Sequence, residues 1–210
     1  MEPEMNKDLD AALLDVRRAY RLLANYQKRQ FDLLSYIRNK LEAVNYYQDY
    51  AFSRPGDLRG LENQANAGLR FLPFLDVSAI WLRHQNQEEY WDKHLSGDLM
   101  FGAWVRSDTG FDKYQGHYTT KTAEASTSIL VLSVVICDEP NDIIGNWFNK
   151  VWNPLPYPED GQVGSSESVP GYRVYSKSIE LAELADQHSV DTAIGKWRKD
   201  AAIALGVPLI

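Results

Sequence analysis

Eleven positions, Leu9, Leu13, Val16, Tyr20, Leu23, Gln27, Gln30, Leu34, Ile37, Leu41 and Val44, follow one another at alternating intervals of four and three residues, and nine of them are apolar or aromatic. In a helix this spacing gathers all of them on one stripe, which other apolar surface must cover. No proline or glycine interrupts residues 6–52. The pattern predicts a continuous helix of about 40 residues, about 60 Å long.

Ala12, Leu14, Ala19, Tyr26 and Leu33 flank the stripe and widen it, so a helical bundle suits it as well as a two-stranded coil. Gln27 and Gln30 sit at its middle, where buried amides fix the register if each is paired. Alternatively the helix curves there and Phe31 takes over the contact. The expectation is a chain that associates with itself, as a homodimer or small bundle, through Leu9, Leu13, Val16, Tyr20, Leu23, Leu34, Ile37, Leu41 and Val44.

Arg54, Pro55, Gly56 and Asp57 stop this helix and start another, because proline cannot continue the ladder and Asp57 can cap the next N-terminus. Leu58, Leu61, Ala65, Leu69 and Leu72 then predict a second helix of about 16 residues, or about 24 Å, closed by Pro73. Residues 1–72 thus read as a helical hairpin and coiled-coil-like assembly region. Residues 73–210 read as an α+β domain.

Within the second region, residues 74–82, 99–106, 129–137, 172–179 and, more weakly, 114–122 have strand character. The turn residues Ser96-Gly97-Asp98 and Asp108-Thr109-Gly110 suit a mainly antiparallel sheet. Short helices over 87–95 and 141–152 are expected to pack on one face. Val190, Ile194, Trp197, Ala201 and Leu205 predict a C-terminal helix docked through Trp197, with Asp191 near its start and Gly206 and Pro208 past its end. The proline-, glycine- and serine-rich stretch 153–171 reads as a long loop.

A chain of 210 residues holds one core and an appendage more readily than two full domains. With 44% hydrophobic and 24% charged residues it is not a disordered chain. Its formal charge of −7 argues against coating nucleic acid or an anionic membrane through its overall field. The charge is unevenly spread: residues 16–40 carry +6, leaving −13 for the rest. Arg17, Arg21, Lys28 and Arg29 lie off the stripe and could meet an acidic protein, or nucleic acid, which is not favoured. A solvated helix face is the plainer explanation.

Residues 1–10 show neither the basic nor the apolar segment of a secretory signal. The longest apolar run, residues 129–137, falls far short of the roughly 20 residues that span a bilayer. The single Cys137 excludes an intramolecular disulfide framework. A cytoplasmic protein without membrane association is the expectation.

Nucleotide-binding glycine motifs, the GxSxG elbow, HExxH and CxxC are absent. His84 and His94, with Glu88, Glu89 and Asp92 between them, match no metal-ligand spacing, and neither metal nor cofactor is expected. Asp98, Asp108, Asp112 and Asp138, with Lys113 and Glu139 nearby, would hold an ion if the strand ends converged. Cys137 closes an apolar strand and precedes two acids, which points to an inert buried thiol.

Trp81, Trp104 and Trp197 fall at core positions, whereas Trp147, Trp152 and Tyr157 lead into the long loop and are candidates for contact with a partner. The sequence therefore favours a non-enzymatic interaction and assembly protein that presents its α+β domain to a protein or small ligand. The alternative is a metal-dependent, nuclease-like hydrolase using Asp98, Asp108, Asp112 and Asp138.

Overall fold

The computed structural model describes residues 2–50, 75–84, 93–110, 121–139 and 145–209. The chain divides into two compact units, Met1–Tyr36 and Ile37–Ile210.

Helix α1 spans Glu2–Lys40 and accounts for every described residue of the first unit. At 39 residues it is about 58 Å long. Arg38 and Lys40 in its last turn complement the partial negative charge of the C-terminus. The helix stops without glycine or proline. Glu42 adopts the left-handed conformation, φ 53°, and lets the Ala43 amide turn back to donate to the Arg38 carbonyl at 3.2 Å.

Strand β1, Val44–Tyr50, begins immediately afterwards, so the helix expected through residue 52 is shorter and Val44 leaves the seam. Val44, Tyr46 and Tyr47 are residues that pack well on a pleated surface, and pairing with a neighbouring strand outweighs the continued 4-3 spacing.

Among the described residues the second unit is built on a six-stranded antiparallel sheet ordered β1-β2-β3-β4-β6-β5. Its other strands are β2 (Asp76–Arg83), β3 (Leu99–Arg106), β4 (Ile129–Cys137), β5 (Val163–Ser165) and β6 (Tyr172–Glu180). The outer strand β1 carries a bulge between Asn45 and Tyr47. At the other side β5 is three residues long and lies inside the stretch read as a loop, where no alternation marks it.

Alternation divides the sheet into two buried faces. On one, Leu82, Met100, Val135 and Val174 stand side by side across four strands, next to Ile80, Cys137 and Tyr172. This face is covered by Trp147, Val151 and Leu155. On the other, Trp81, Phe101, Val134 and Tyr175 align, and Trp197 meets the Phe101 ring at 6.3 Å between centroids.

Trp197 belongs to helix α2, Gln187–Leu205, which buries Val190, Ile194, Trp197, Ala201 and Leu205 as the spacing required. Its cap is Asp186, whose carboxylate accepts from the Ser189 amide at 2.8 Å; Asp191 instead reaches Lys40 at 3.0 Å. Gly206, at φ 69°, closes the helix.

The expected helix over 141–152 is described only from residue 145; Gly145 and Asn146 are not helical, and Phe148–Trp152 is a single π-helical turn in which the Asn153 amide donates to the Phe148 carbonyl at 2.9 Å. The second hairpin helix (Leu58, Leu61, Ala65, Leu69 and Leu72), its connecting turn at 54–57, most of the helix over 87–95 and nearly all of the strand over 114–122 lie outside the described residues.

Candidate functional site

The most polar part of the interior sits where β3 begins and β4 ends. Gly97, at φ 86°, turns the chain into β3, and its amide donates to the Cys137 carbonyl at 2.8 Å. The Cys137 amide donates in turn to the Asp98 carbonyl at 3.0 Å. This ladder fixes the fully buried Asp98 side chain, whose Oδ2 accepts from the Leu95 amide at 2.8 Å and lies 3.1 Å from His84 Nδ1. A buried carboxylate is costly without such partners.

A second group adjoins it. His94 is buried, with Nε2 2.8 Å from the Gly145 carbonyl and Nδ1 2.6 Å from the Tyr172 hydroxyl. A carbonyl only accepts, so Nε2 carries the proton; in the neutral ring Nδ1 then accepts and Tyr172 donates. Tyr172 also hydrogen-bonds the Cys137 thiol. The Tyr172 oxygen thus links the His94 imidazole to the Cys137 thiol. Burial, reinforced by Asp98 and Asp138, pushes the Cys137 thiol up to about 11 and outweighs the Tyr172 bond, which lowers it. Burial likewise raises the Tyr172 hydroxyl well above its ordinary range. Both stay protonated at neutral pH, so Cys137 is an inert thiol rather than a nucleophile.

Trp147 roofs this group. Its ring stacks on His94 at 3.8 Å and meets Tyr172 edge-on at 5.9 Å. Its amide donates to the Tyr46 hydroxyl at 3.0 Å, tying the π turn to β1. It is fully buried, and among the described residues its indole Nε1 has no hydrogen-bond partner. Trp147 is thus a core residue and not the surface contact its place before the loop suggested.

The six-membered ring of Trp152 closes on Gly102 of β3 and leaves no room for a Cβ there. It packs with Tyr157 at 4.7 Å, and the Tyr157 hydroxyl donates to the Trp152 carbonyl at 3.0 Å. Of the three aromatics expected at a partner surface, Tyr157 is exposed and Trp152 half-buried.

Asp98, Asp108 and Asp138, the three of the four acids among the described residues, do not form one site. Asp98 and Asp108 precede and follow β3, whose eight residues span about 26 Å. Asp108 turns back to accept from the Gly110 amide at 2.7 Å. Asp138 shares an end of the sheet with Asp98, but its carboxylate grips Arg173, with Nη2 2.8 Å from Oδ1. Asp112 lies outside the described residues, as do Glu88, Glu89 and Asp92. Among the described residues no three His, Cys, Asp or Glu side chains gather as ion ligands.

The seam of α1 has two different halves. Leu9, Leu13, Val16 and Tyr20 are 57%, 44%, 48% and 71% exposed, and every residue from Asp8 to Leu22 is open to solvent. Leu23 and Gln27 are intermediate. Gln30, Leu34, Ile37 and Leu41 are buried, so Leu34, Ile37 and Leu41 are not open surface. Arg17, Arg21, Lys28 and Arg29 are exposed, with Lys28 bonded to Asp32 at 2.7 Å.

The sequence matches a family profile described as PM0109 over residues 6–206. It is 34% identical over 206 residues to a Pasteurella multocida (strain Pm70) protein described as uncharacterized protein PM0109, covering 95% of this chain and 97% of that one. No solved structure matches. Among the described residues no helix is long and apolar enough to cross a membrane.

Proposed function

The chain belongs to the PM0109 family, and on that footing we propose that it is a non-enzymatic assembly protein whose N-terminal helix joins it to another copy. The observation that carries this reading is the exposed row Leu9, Leu13, Val16 and Tyr20. A helix open to solvent on every side has little to hold it beyond its own ladder, and the row sits at the spacing of a helix–helix seam. Covering such side chains stabilises by about 1.5–3 kcal/mol each when burial is complete. Association supplies that cover.

In this reading the α+β unit is presented in more than one copy to a protein or small ligand, in the cytoplasm. The half-buried Trp152 and exposed Tyr157 are its contact surface. The polar group around Asp98 and His94 pins β3, β4, β6 and the π turn together. The hydrolase alternative has no favouring observation, because Asp98 and Asp108 sit at opposite ends of β3.

Light scattering on the full chain tests the reading. The expected mass at about 100 µM is a multiple of 24.0 kDa, and Leu13→Asp with Val16→Asp reduces it to a monomer of unchanged far-UV circular dichroism. A monomeric native chain at that concentration refutes the proposal.

A further inference from the structure

The charges of α1 fix the direction in which a second copy lies along it. The first fifteen residues hold Glu2, Glu4, Asp8, Asp10 and Asp15 against Lys7 alone, while residues 16–40 carry +6. Two such helices side by side in the same direction set acid against acid and base against base. Reversing one sets each acidic end against a basic stretch.

Side-chain order then selects a register. When Leu13 meets Val16 of an oppositely running copy, Leu9 necessarily meets Tyr20 of that copy, and both contacts recur by symmetry. Four layers result, all made from the exposed half of the seam. Asp10 and Arg17 directly follow the seam residues Leu9 and Val16, so they flank the stripe on one side. In this register Asp10 faces Arg17 of the second copy, twice per pair. Ala12 and Ala19 directly precede Leu13 and Tyr20 and flank the other side. There Ala12 faces Ala19 of the second copy, and two methyl groups allow the backbones to approach closely. Asp10, Ala12, Arg17 and Ala19 are all exposed in the single chain. In the same-direction alternative Arg17 falls opposite Ala12, Tyr20 opposite Tyr20, and Asp10 gains no basic neighbour.

We infer that the N-terminal half of α1 is a docking surface for a second copy of this chain in antiparallel orientation, with Leu13 against Val16, Asp10 against Arg17 and Ala12 against Ala19. The inference rests on the self-association proposed above and adds its direction and register.

The test uses full-length chains carrying Ala12→Cys or Ala19→Cys, oxidised mildly and separated on a non-reducing gel, with the native chain as control for the buried Cys137. The expected result is a cross-linked dimer from the mixture of the two variants and none from either alone. A cross-link from Ala12→Cys alone, or none in the mixture when light scattering shows a dimer, overturns the antiparallel register and leaves self-association standing. A native chain monomeric at about 100 µM overturns both. As a second readout, Asp10→Arg and Arg17→Asp each raise the dimer dissociation constant about tenfold, and the double swap restores it to within about threefold. A double swap no tighter than the single variants also overturns the register.

Discussion

Tyr172 holds two neighbours through one oxygen, donating to His94 Nδ1 and meeting the Cys137 thiol. Tyr172→Phe keeps the ring and its edge contact with Trp147 but leaves a buried imidazole nitrogen without its donor. The expected cost is about 1–3 kcal/mol, read as a lower urea midpoint at unchanged slope. Cys137 gives a pH dependence of definite sign. Its folded pKa, about 11, lies above the ordinary 9.0, so the fold favours the protonated thiol. That advantage is whole below about pH 9 and is lost as pH climbs towards 11, since the unfolded chain gives up its proton first. The urea midpoint of the native chain is expected to fall between pH 8.5 and 10.5 by more than that of Cys137→Ala; equal falls would show that the thiol is not linked to folding.

Among the elements, the end of α1 carries two tests. Glu42 holds a left-handed conformation that costs a side-chain-bearing residue about 1 kcal/mol, so Glu42→Gly is expected to raise the melting temperature by a few degrees. Ile37 is fully buried, and Ile37→Asp is expected to destabilise the α+β unit by several kcal/mol rather than loosen assembly alone; calorimetry separates the two. These sites also show what the sequence could reveal. The strands over 99–106 and 129–137 and the helix spanning 190–205 were legible because burial imposed a clean period on them. The stop at Lys40 was not, because a glutamate did the work that glycine usually signals, and the 4-3 spacing ran on into β1. The polar group was half legible. Asp98, His84, His94 and Cys137 each drew notice, but Tyr172 lies 78 residues from His94, and only the pairing of β4 with β6 brings the phenol beside the thiol.

At the scale of the whole chain, the proposed self-association through the apolar row on α1 has one rival route, pairing at the strands that end the sheet among the described residues. Unpaired strand margins are templates on which other chains anneal. Here β1 is kinked by the bulge at Asn45 and Tyr47, and β5 ends after three residues, too short for a lasting ladder. Concentrated solutions are therefore expected to yield discrete, dissociable oligomers with flat thioflavin fluorescence, and Leu13→Asp with Val16→Asp to remain clear rather than turn fibrillar. On the proposed reading, the small irregularity at Asn45 is a safeguard that disfavours endless stacking and leaves closed stoichiometry as the outcome of crowding.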